Sequence, residues 1–567
     1  MSALSGPAQA VRSAVREATA GPRARREESR RRARVMAPAA GERRSHERLR
    51  VEVHASERVR AGLAGQWLIT DEDPEAVLVE VDARSAVTVA APFARQRAAV
   101  VGVEVPVIVW VTSSARVVAD DVERLVEGVT APVHIHVDDA ASVPEWAAAL
   151  GREVRHLAPA VDHTVHAPSV VGSTARREQV VALVGDADVD LERLAPVQPQ
   201  RLDVVGGDDA ASELPGDRPV LGRYRAAALV ADRPLTPWLA LEAAAAGTAL
   251  VGTGPTIERL PDELADRACR VEDDTQLALQ VRAHLWQDEL VERVALPAAR
   301  VVRGGHTFAH RAADLEALVG RSRDLREATG APFDRSVSAV ISTNRAHELD
   351  TVADNMARQS LRESGELQVV LVLHGLDVDV AEVEARFRER GIDQLVVVPA
   401  DAALTLGACL NLGIDASDGA HVAKIDDDNF YGRHYLLDLV DAVDYSGAGI
   451  AGKWAHYTWL RSTGAVILRF PKSEHRYERL VQGGSILMRG EVARGLRFSD
   501  LPRAVDTDLL NRAQAAGVRT YSADRFNFVS IRGTDRHAHT WTLEDASFMN
   551  ASSRVVFYGD PREQVEF

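Results

Sequence analysis

The stretch AHVAKIDDDNFYG, residues 420–432, places three consecutive carboxylates directly after a short apolar run. Adjacent carboxylates repel one another and have low strand propensity, so a fold that keeps them at a strand end gains something from them. If strand alternation continues through the triplet, Asp426 and Asp428 point to the same side. Two hard oxygen donors suit Mg²⁺ or Mn²⁺ bound together with a diphosphate. By itself, the triplet fits either such a site or a solvated turn that caps the following helix.

The composition is that of a globular protein with several domains. The chain has 567 residues, of which 46% are hydrophobic and 26% charged. This length predicts three or four units of about 150 residues each. The formal net charge is −16, but residues 1–50 contain 13 Arg and 5 Glu, so residues 51–567 carry −24. An acidic body argues against general nucleic-acid binding, which requires a basic surface.

Cysteine content and hydropathy predict a cytoplasmic protein. Cys269 and Cys409 are too few for a disulfide framework or a zinc-ligand set. The sequence predicts neither a transmembrane span nor a signal peptide. Residues 1–55 have the composition of a basic disordered tail. The alternative is an arm that contacts anionic lipid or a polyanionic acceptor, which would place the protein at the inner face of the plasma membrane.

Two α/β regions are predicted on either side of a polar linker. Within residues 56–322, short apolar strands alternate with helical stretches, which indicates doubly wound parallel sheets. Predicted strands in this region include residues 106–113, 132–138 and 180–186. Residues 323–335 are polar and contain Gly and Pro, so they form the predicted linker between two separately folding halves.

A second alternation, within residues 336–567, leads into the acidic triplet. Its predicted strands are 337–343, 367–375, 394–400 and 421–425, and helical segments separate them. Open sheets of this kind bind ligands at the carboxyl ends of their strands, which is where the triplet lies.

The second region resembles the GT-A glycosyltransferases, especially family 2. The resemblance covers about residues 336–545 and depends on several segments in a fixed order. These segments are AVISTNRAHEL (339–349), VVLVLHG (369–375), GACLNLGIDASDG (407–419), the acidic triplet, QGGSILMRGEVARGLRF (482–498) and AVDTDLLNRAQAAG (504–517).

The resemblance implies an inverting transfer from a nucleotide-diphosphate sugar with Mn²⁺ or Mg²⁺ as cofactor. It implies that Asp506 is the general base and that the metal ligands are Asp426, Asp428 and His539. It further implies contacts to the nucleotide sugar from Ser342, Asn344, Arg345, Gly375, Asn411, Asp426 and Asp427. The sequence departs from the family at two positions, because Val505 replaces the first acid of the base segment and His374-Gly375 replaces the usual Asp of the second-strand loop.

Two of these residues have structural alternatives. Asp506 begins a predicted helix, so it is either the general base or a helix cap. His539 either completes a metal shell beside the two carboxylates or packs on Trp541.

The first region resembles a degenerate GT-B glycosyltransferase. The segments that carry this resemblance are HLAPAVDHTVHAP (156–168), VALVGD (181–186), PWLALEAAAAGTALVGTGP (237–255) and HTFAHRAADLEALVG (306–320). The resemblance implies that Glu242 binds the donor ribose, with Arg223 and Arg225 as candidates for the diphosphate. The region is short for two full GT-B lobes, which favours a scaffold or acceptor-binding role over a second active transferase.

Together, the two resemblances predict an inverting, metal-dependent glycosyltransferase. By analogy, its acceptor is a cell-surface polysaccharide, a teichoic-type polymer or a lipid-linked glycan. The alternatives are a sugar nucleotidyltransferase and a non-catalytic glycan-binding or assembly protein. A nucleotidyltransferase needs a Gly-rich loop after the first strand, whereas this chain has STNRAHELD (342–350). Retention of Asp426, Asp428 and Asp506 together argues against decay of the second region.

Overall fold

The computed structural model describes residues 48–82, 90–112, 117–168, 179–184, 194, 197, 202–206, 221–230, 236–320, 334–533 and 545–567. These residues form four β-sheets, two in each half of the chain. Most of the predicted tail and linker lies outside the described residues, as does His539.

The N-terminal half contains two fully parallel sheets. Their strand orders are β2-β1-β3-β4-β5-β6 and β11-β10-β9-β7-β8. The strands are β1 Arg50–His54, β2 Leu68–Ile69, β3 Ala76–Val81, β4 Val107–Val111, β5 Val133–Val137, β6 Val154–His156, β7 Gln179–Val184, β8 Leu202–Gly206, β9 Tyr224–Leu229, β10 Ala249–Thr253 and β11 Cys269–Val271. The helices are α1 Glu57–Ala64, α2 Ala90–Val100, α3 Ala119–Val126, α4 Val143–Leu150, α5 Thr236–Ala245, α6 Gly254–Ile257, α7 Asp262–Ala265, α8 Asp274–Trp286, α9 Asp288–Gly305 and α10 Phe308–Leu318.

The prediction of parallel sheets in this half is confirmed, and its physical basis is burial on both faces. Every residue of β3, β4 and β9 is buried, and central parallel strands of this kind have continuous apolar sequences. The start of the fold was placed too late, because β1 lies within the predicted tail of residues 1–55. Its alternating sequence RVEVH buries Val51 and Val53, but it follows an Arg-rich segment whose composition dominated the interpretation.

The C-terminal half contains an eight-stranded mixed sheet and a smaller five-stranded sheet. Their orders are β14-β13-β12-β15-β21-β17-β22-β20 and β16-β23-β18-β19-β24. The strands are β12 Val337–Thr343, β13 Leu367–His374, β14 Leu395–Ala400, β15 His421–Ile425, β16 Phe430–Tyr431, β17 Ile450–Gly452, β18 His456–Leu460, β19 Ala465–Arg469, β20 Arg476–Tyr477, β21 Leu487–Arg489, β22 Thr520–Ser522, β23 Phe528–Arg532 and β24 Ser553–Tyr558. The helices are α11 Leu349–Ala357, α12 Ser360–Glu363, α13 Val380–Arg388, α14 Leu406–Asp415, α15 Tyr435–Ser446, α16 Gly490–Leu496, α17 Val505–Ala515 and α18 Arg562–Val565.

Ion pairs connect the two halves. Arg300 of α9 donates from Nε and Nη2 to the two carboxylate oxygens of Asp438 in α15, at 2.7 and 2.9 Å. Arg335, the last residue of the linker, lies 3.2 Å from Asp441 in the same helix, and its Nη2 also donates to the Arg303 carbonyl oxygen of α9 at 3.1 Å. Although burial raises the pKa of Asp438, the charge and hydrogen bonds of Arg300 hold that pKa below its ordinary value. Both carboxylates are buried, so these contacts are shielded from water, and separate folding of the two halves stays a prediction.

Candidate active site

The candidate site lies where β12 and β15 end side by side. The two strands are parallel neighbours, and the strands that follow β12 in the chain, β13 and β14, lie on its other side. This is a switch point in strand order, where the loops leaving the two strands diverge and open a crevice at their carboxyl ends. The crevice receives the acidic triplet from β15 and the Thr343-Asn344-Arg345 segment from β12.

The acidic triplet does not continue the strand. Strand β15 ends at Ile425 and the next residues form a turn, so the alternation used to orient Asp426 and Asp428 does not apply. The two carboxylates instead have different cationic partners, because Asp426 contacts Lys424 and Asp428 contacts Arg345. The triplet is therefore divided between two cations, with Asp426 paired to Lys424 and with Asp427 and Asp428 paired to Arg345.

Arg345 holds the second and third carboxylates. Its Nη2 lies 2.6 Å from Asp427 Oδ1, and its Nη1 donates to Asp428 Oδ2 at 3.1 Å. Thr343 donates from its hydroxyl to Asp427 Oδ2 at 2.5 Å. Burial raises the pKa of Asp427 to about 6, despite the opposing effects of the Thr343 hydrogen bond and the Arg345 charge. Asp427 is thus the buried partner of Arg345, and Asp428 is its more exposed partner.

Lys424 holds the first carboxylate and also reaches Asp506. Its Nζ lies 2.5 Å from Asp426 Oδ1, 3.1 Å from the Gly483 carbonyl oxygen and 3.3 Å from Asp506 Oδ1. Lys424 is only 4% exposed, so these contacts are shielded from water and stronger than surface ion pairs. The structure thus brings the predicted base, Asp506, together with the triplet.

Asp506 is not the cap of its helix. Helix α17 (Val505–Ala515) has Ala504 as its N-cap, with a φ of 61° and no side-chain capping bond. The capping alternative is therefore wrong, because Asp506 lies two residues beyond the N-cap and faces Lys424. Burial raises the pKa of the Asp506 carboxyl to about 6, the Lys424 charge opposes this shift, and Asp426 adds to it.

Two glycines allow the carboxylates to come this close to the neighbouring loop. Strand β21 runs antiparallel to β15, so the loop before it, residues 482–485, crosses the end of β15. A Cβ built on Gly483 would collide with the Asp506 carboxylate, and one built on Gly484 would collide with the Asp426 carboxylate. The absence of side chains at these two positions is therefore a geometric requirement of the site.

Substitution Gly484→Ala should lower turnover at least tenfold while the protein stays folded, since displacement of catalytic groups by about 1 Å has effects of this size or larger. The added methyl group must move Asp426 or Asn429. The measurement is transfer rate together with the thermal unfolding curve. Gly495→Ala is the matched control, because its Cβ meets nothing within 4 Å. Equal turnover in the two variants would contradict the prediction.

The other residues predicted to contact the nucleotide are distributed differently. Ser342 and Asn344 lie at the end of β12, on the edge that carries the triplet. Gly375 has a φ of 65°, and a Cβ built on it would lie 2.7 Å from Ala402 Cβ. The backbone conformation and the close contact therefore account for a glycine at this position. A nucleotide contact from these three residues stays a prediction.

Asn411 has a packing role, and its predicted contact with the nucleotide stays a prediction. Its Nδ2 donates to the Phe498 carbonyl oxygen at 2.8 Å, and its Oδ1 accepts from the Phe498 N–H at 2.9 Å. Both ends of the amide are thus used to hold α14 against the chain after α16. The family-like spacing of this segment reflects helix packing, since a Cβ at Gly413 would meet Val340 Cγ1 at 2.3 Å.

The chemistry of the donor set fits a divalent cation shared with a substrate. Asp428 and Asp426 supply hard carboxylate oxygens, and Mg²⁺ or Mn²⁺ commonly binds one or two carboxylates and completes its shell with substrate phosphates and water. Within the described ranges, no cluster of three or more His, Cys, Asp or Glu side chains is arranged to hold a metal. The third predicted ligand, His539, lies outside those ranges.

Lys424, Gly483 and Gly484 were missed as site residues by the sequence reasoning. A signal for Lys424 was present, because a lysine two residues before the triplet interrupts an otherwise apolar strand. A lysine at a fully buried strand position needs anionic partners. The two glycines were recognised only as part of a family-like segment, and their contacts depend on strand pairing.

A second candidate site, around Glu242 in the N-terminal half, is closed by protein side chains. Glu242 is 3% exposed, and its Oε1 lies 3.0 Å from Arg58 Nε and 3.8 Å from His166 Nε2. Arg58 also lies over the ring of Trp238, which is itself buried. The Glu242 carboxylate thus pairs with α1, an element of the other parallel sheet, instead of facing an open ribose site.

Arg225, one of the two arginines proposed to bind the diphosphate, already has protein partners. Its Nε donates to the His284 carbonyl oxygen at 2.9 Å and its Nη2 pairs with Asp288. These contacts favour the scaffold role over a second transferase site in the N-terminal half.

Glu242→Gln should destabilise the fold by about 3 kcal/mol, because it leaves the poorly exposed Arg58 without its charge partner. Transfer per folded molecule should stay unchanged, since the site lies in the other half. Chemical denaturation and transfer rate measure the two effects. Glu258→Gln, which breaks an exposed pair with Arg270, is the control and should change stability by less than about 1 kcal/mol. Loss of transfer without loss of stability would contradict the scaffold interpretation.

Comparisons with known proteins give only distant structural similarity. No protein-family model matches the chain, and no curated protein matches it. A crystal structure of S. aureus TarS 1–349 in complex with UDP-GlcNAc is similar at 14% identity and a TM-score of 0.31, over 38% of this chain and 63% of that one. The mannosyltransferase PcManGT from Pyrobaculum calidifontis, in complex with GDP-Man and Mn²⁺, is similar at 17% identity and a TM-score of 0.28, over 35% of this chain and 57% of that one. The chain thus spans less than two thirds of each neighbour, and these scores establish neither a family nor an activity.

Among the described residues, no helix is long and apolar enough to cross a membrane.

Proposed function

We propose that the C-terminal half transfers a sugar from a nucleotide-diphosphate donor to a glycan acceptor, with inversion at the anomeric carbon and dependence on a divalent metal. The observation that supports this function is the meeting of the acidic triplet and Asp506 at the switch point between β12 and β15, through Lys424. A metal-ligating carboxylate and a base carboxylate at one crevice provide the two groups that such a transfer needs.

The donor lies on the β12 side of the crevice in this proposal. Asp428 and Asp426 would hold the metal there, and the cation would supply charge neutralisation for the leaving diphosphate. Arg345, at the same position, presents a guanidinium that matches phosphate oxygens in shape and charge. Asp427 keeps Arg345 at the strand end by its hydrogen bonds.

The acceptor approaches from the α17 side. Asp506 accepts the proton of the acceptor hydroxyl while that oxygen bonds to the anomeric carbon and the bond from this carbon to the diphosphate oxygen breaks. Attack and departure occur on opposite faces of the sugar, which inverts the anomeric centre, as in inverting glycosidases. The raised pKa of Asp506 makes its carboxylate a stronger base than an exposed aspartate.

The acceptor class and location extend the proposal by analogy with the resembled family. The acceptor is a cell-surface polysaccharide, a teichoic-type polymer or a lipid-linked glycan. The enzyme acts in the cytoplasm, and its basic N-terminal segment provides a contact to anionic lipid or polymer. The N-terminal half serves as a scaffold that holds α15 of the catalytic half through Arg300.

The test is a donor screen on the purified full chain. UDP-, GDP-, CDP- and TDP-sugars are incubated with and without Mn²⁺, and release of the nucleoside diphosphate is measured. The proposal expects metal-dependent release for one donor class and an inverted product with an acceptor. Donor binding without release, with every acceptor tried, would instead indicate a non-catalytic glycan-assembly protein. Release of pyrophosphate from a nucleoside triphosphate and a sugar phosphate would indicate a nucleotidyltransferase.

A further inference from the structure

We propose that Lys424 is a positioning residue that fixes the base Asp506 relative to the triplet. It thereby keeps the base on the acceptor side at a constant distance from the carboxylates on the donor side. This inference rests on the proposed function and adds a residue that motif comparison did not assign. Its basis is the set of contacts around one buried ammonium group.

The ammonium of Lys424 has three oxygen partners. It donates hydrogen bonds to Asp426 Oδ1 at 2.5 Å and to the Gly483 carbonyl oxygen at 3.1 Å, and it forms an ion pair with Asp506, whose Oδ1 lies 3.3 Å from Nζ. They come from three different elements, namely the turn after β15, the loop before β21 and the first turn of α17. A single side chain therefore ties together three segments that are up to 80 residues apart in the chain, as the numbering of Asp426 and Asp506 shows.

Burial of a lysine at this strand position is energetically unfavourable unless its ammonium is paired. Every residue of β15 is buried, with Val422, Ala423 and Ile425 around Lys424, and transfer of an unpaired ammonium to such a place is strongly unfavourable. An apolar residue would serve a purely structural role at lower cost. The ammonium accounts for the position of Asp506, whose carboxylate faces the crevice at only 3.3 Å from Nζ.

The charges of the site divide into two pairs around Lys424 and Arg345. Lys424 faces Asp426 and Asp506, and Arg345 faces Asp427 and Asp428. Without Lys424, the Asp426 and Asp506 carboxylates would repel each other and separate. Loss of the lysine therefore moves Asp506 and Asp426, whereas Asp427 and Asp428 keep their contacts with Arg345.

The experiment is a double-mutant cycle on the full chain with Lys424→Met and Asp506→Asn. Lys424→Met alone should lower kcat about 10- to 100-fold, the range expected when a base is misplaced by about 1 Å. The KM for the donor and the calorimetric affinity for the nucleoside diphosphate with Mn²⁺ should change much less than kcat, because Asp428 and Arg345 keep their contacts and only Asp426 loses its partner. The double variant should be no slower than Asp506→Asn by more than about threefold, because residues that act as one unit are strongly non-additive.

Lys453→Met is the matched control for loss of a buried ammonium. Lys453 is 0% exposed, and its Nζ donates to Asp524 Oδ1 at 2.9 Å and to the Asp524 carbonyl oxygen at 3.1 Å. The Lys453→Met variant should be less stable than the parent in chemical denaturation, but its kcat per folded molecule should not decrease. If Lys424→Met does not fold, Lys424→Gln, which keeps two N–H donors without the charge, takes its place in the cycle.

The outcomes separate the two proposals. Multiplicative losses in the double variant, or a kcat of the Lys424 variant equal to that of Lys453→Met, would overturn the positioning role. Equal losses of kcat and donor affinity would overturn it as well, because Lys424 would then act in donor binding. Failure of the parent protein to release a nucleoside diphosphate from any donor would contradict the proposed function instead.

Discussion

Asp506→Asn is expected to reduce sugar transfer by roughly 10²- to 10⁴-fold while donor binding remains intact, which is the range for loss of a general base. The amide has the size of the carboxylate, so the loop before β21 keeps its contact with residue 506. An amide does not take up the proton of the acceptor hydroxyl, and the loss therefore falls on kcat. Transfer is measured by product formation, and donor affinity by calorimetry with the nucleoside diphosphate and Mn²⁺.

Asp508→Asn provides the control on the same helical turn. Asp508 accepts from Ser499 and Arg512 and is about one-third exposed. Its replacement should cost about 1 kcal/mol of stability or less and leave turnover within a few-fold of the parent. Turnover of Asp506→Asn at the level of Asp508→Asn would remove Asp506 from the mechanism.

Asp428→Asn should reduce transfer by roughly 10²-fold or more, which corresponds to about 2.7 kcal/mol of transition-state stabilisation. The physical reason is loss of the negative charge that holds the metal, which in turn neutralises the leaving diphosphate. Mn²⁺ affinity, followed by the electron paramagnetic resonance of the free ion, should fall at least tenfold. This second measurement reports on the site without any need for turnover.

Arg345 complicates this variant, because Asp428 also pairs with that guanidinium. Asp415→Asn is a suitable control, since it removes the carboxylate of another Arg–Asp pair, with Arg497, at the end of α14. It should change neither Mn²⁺ affinity nor turnover. Full activity of Asp428→Asn in the presence of EDTA would show that the proposed transfer does not use the metal at this position.

The order of the elements was predictable from the sequence because its signals are local. The predicted strand 337–343 coincides with β12 and the predicted strand 421–425 with β15. Apolar runs bounded by polar turns specify such strands from within about ten residues of chain. The same local patterns placed an acidic triplet at the carboxyl end of a strand and predicted the parallel sheets of the N-terminal half, whereas the mostly parallel sheet expected in the C-terminal half is mixed, since β15 pairs antiparallel with β21.

The partners of each charge were decided only by the tertiary structure. Arg345 meets Asp427 because β12 and β15 are neighbours, and Lys424 meets Asp506 because α17 and the loop before β21 cross the end of β15. The turn after Ile425 sends Asp426 and Asp428 to different partners, which strand alternation failed to predict. In the N-terminal half, packing of α1 on α5 joins Arg58 to Glu242 across 184 positions of the sequence. Such pairings depend on the order of strands in a sheet and on side-chain directions beyond a strand end, and no local pattern of residues specifies either one.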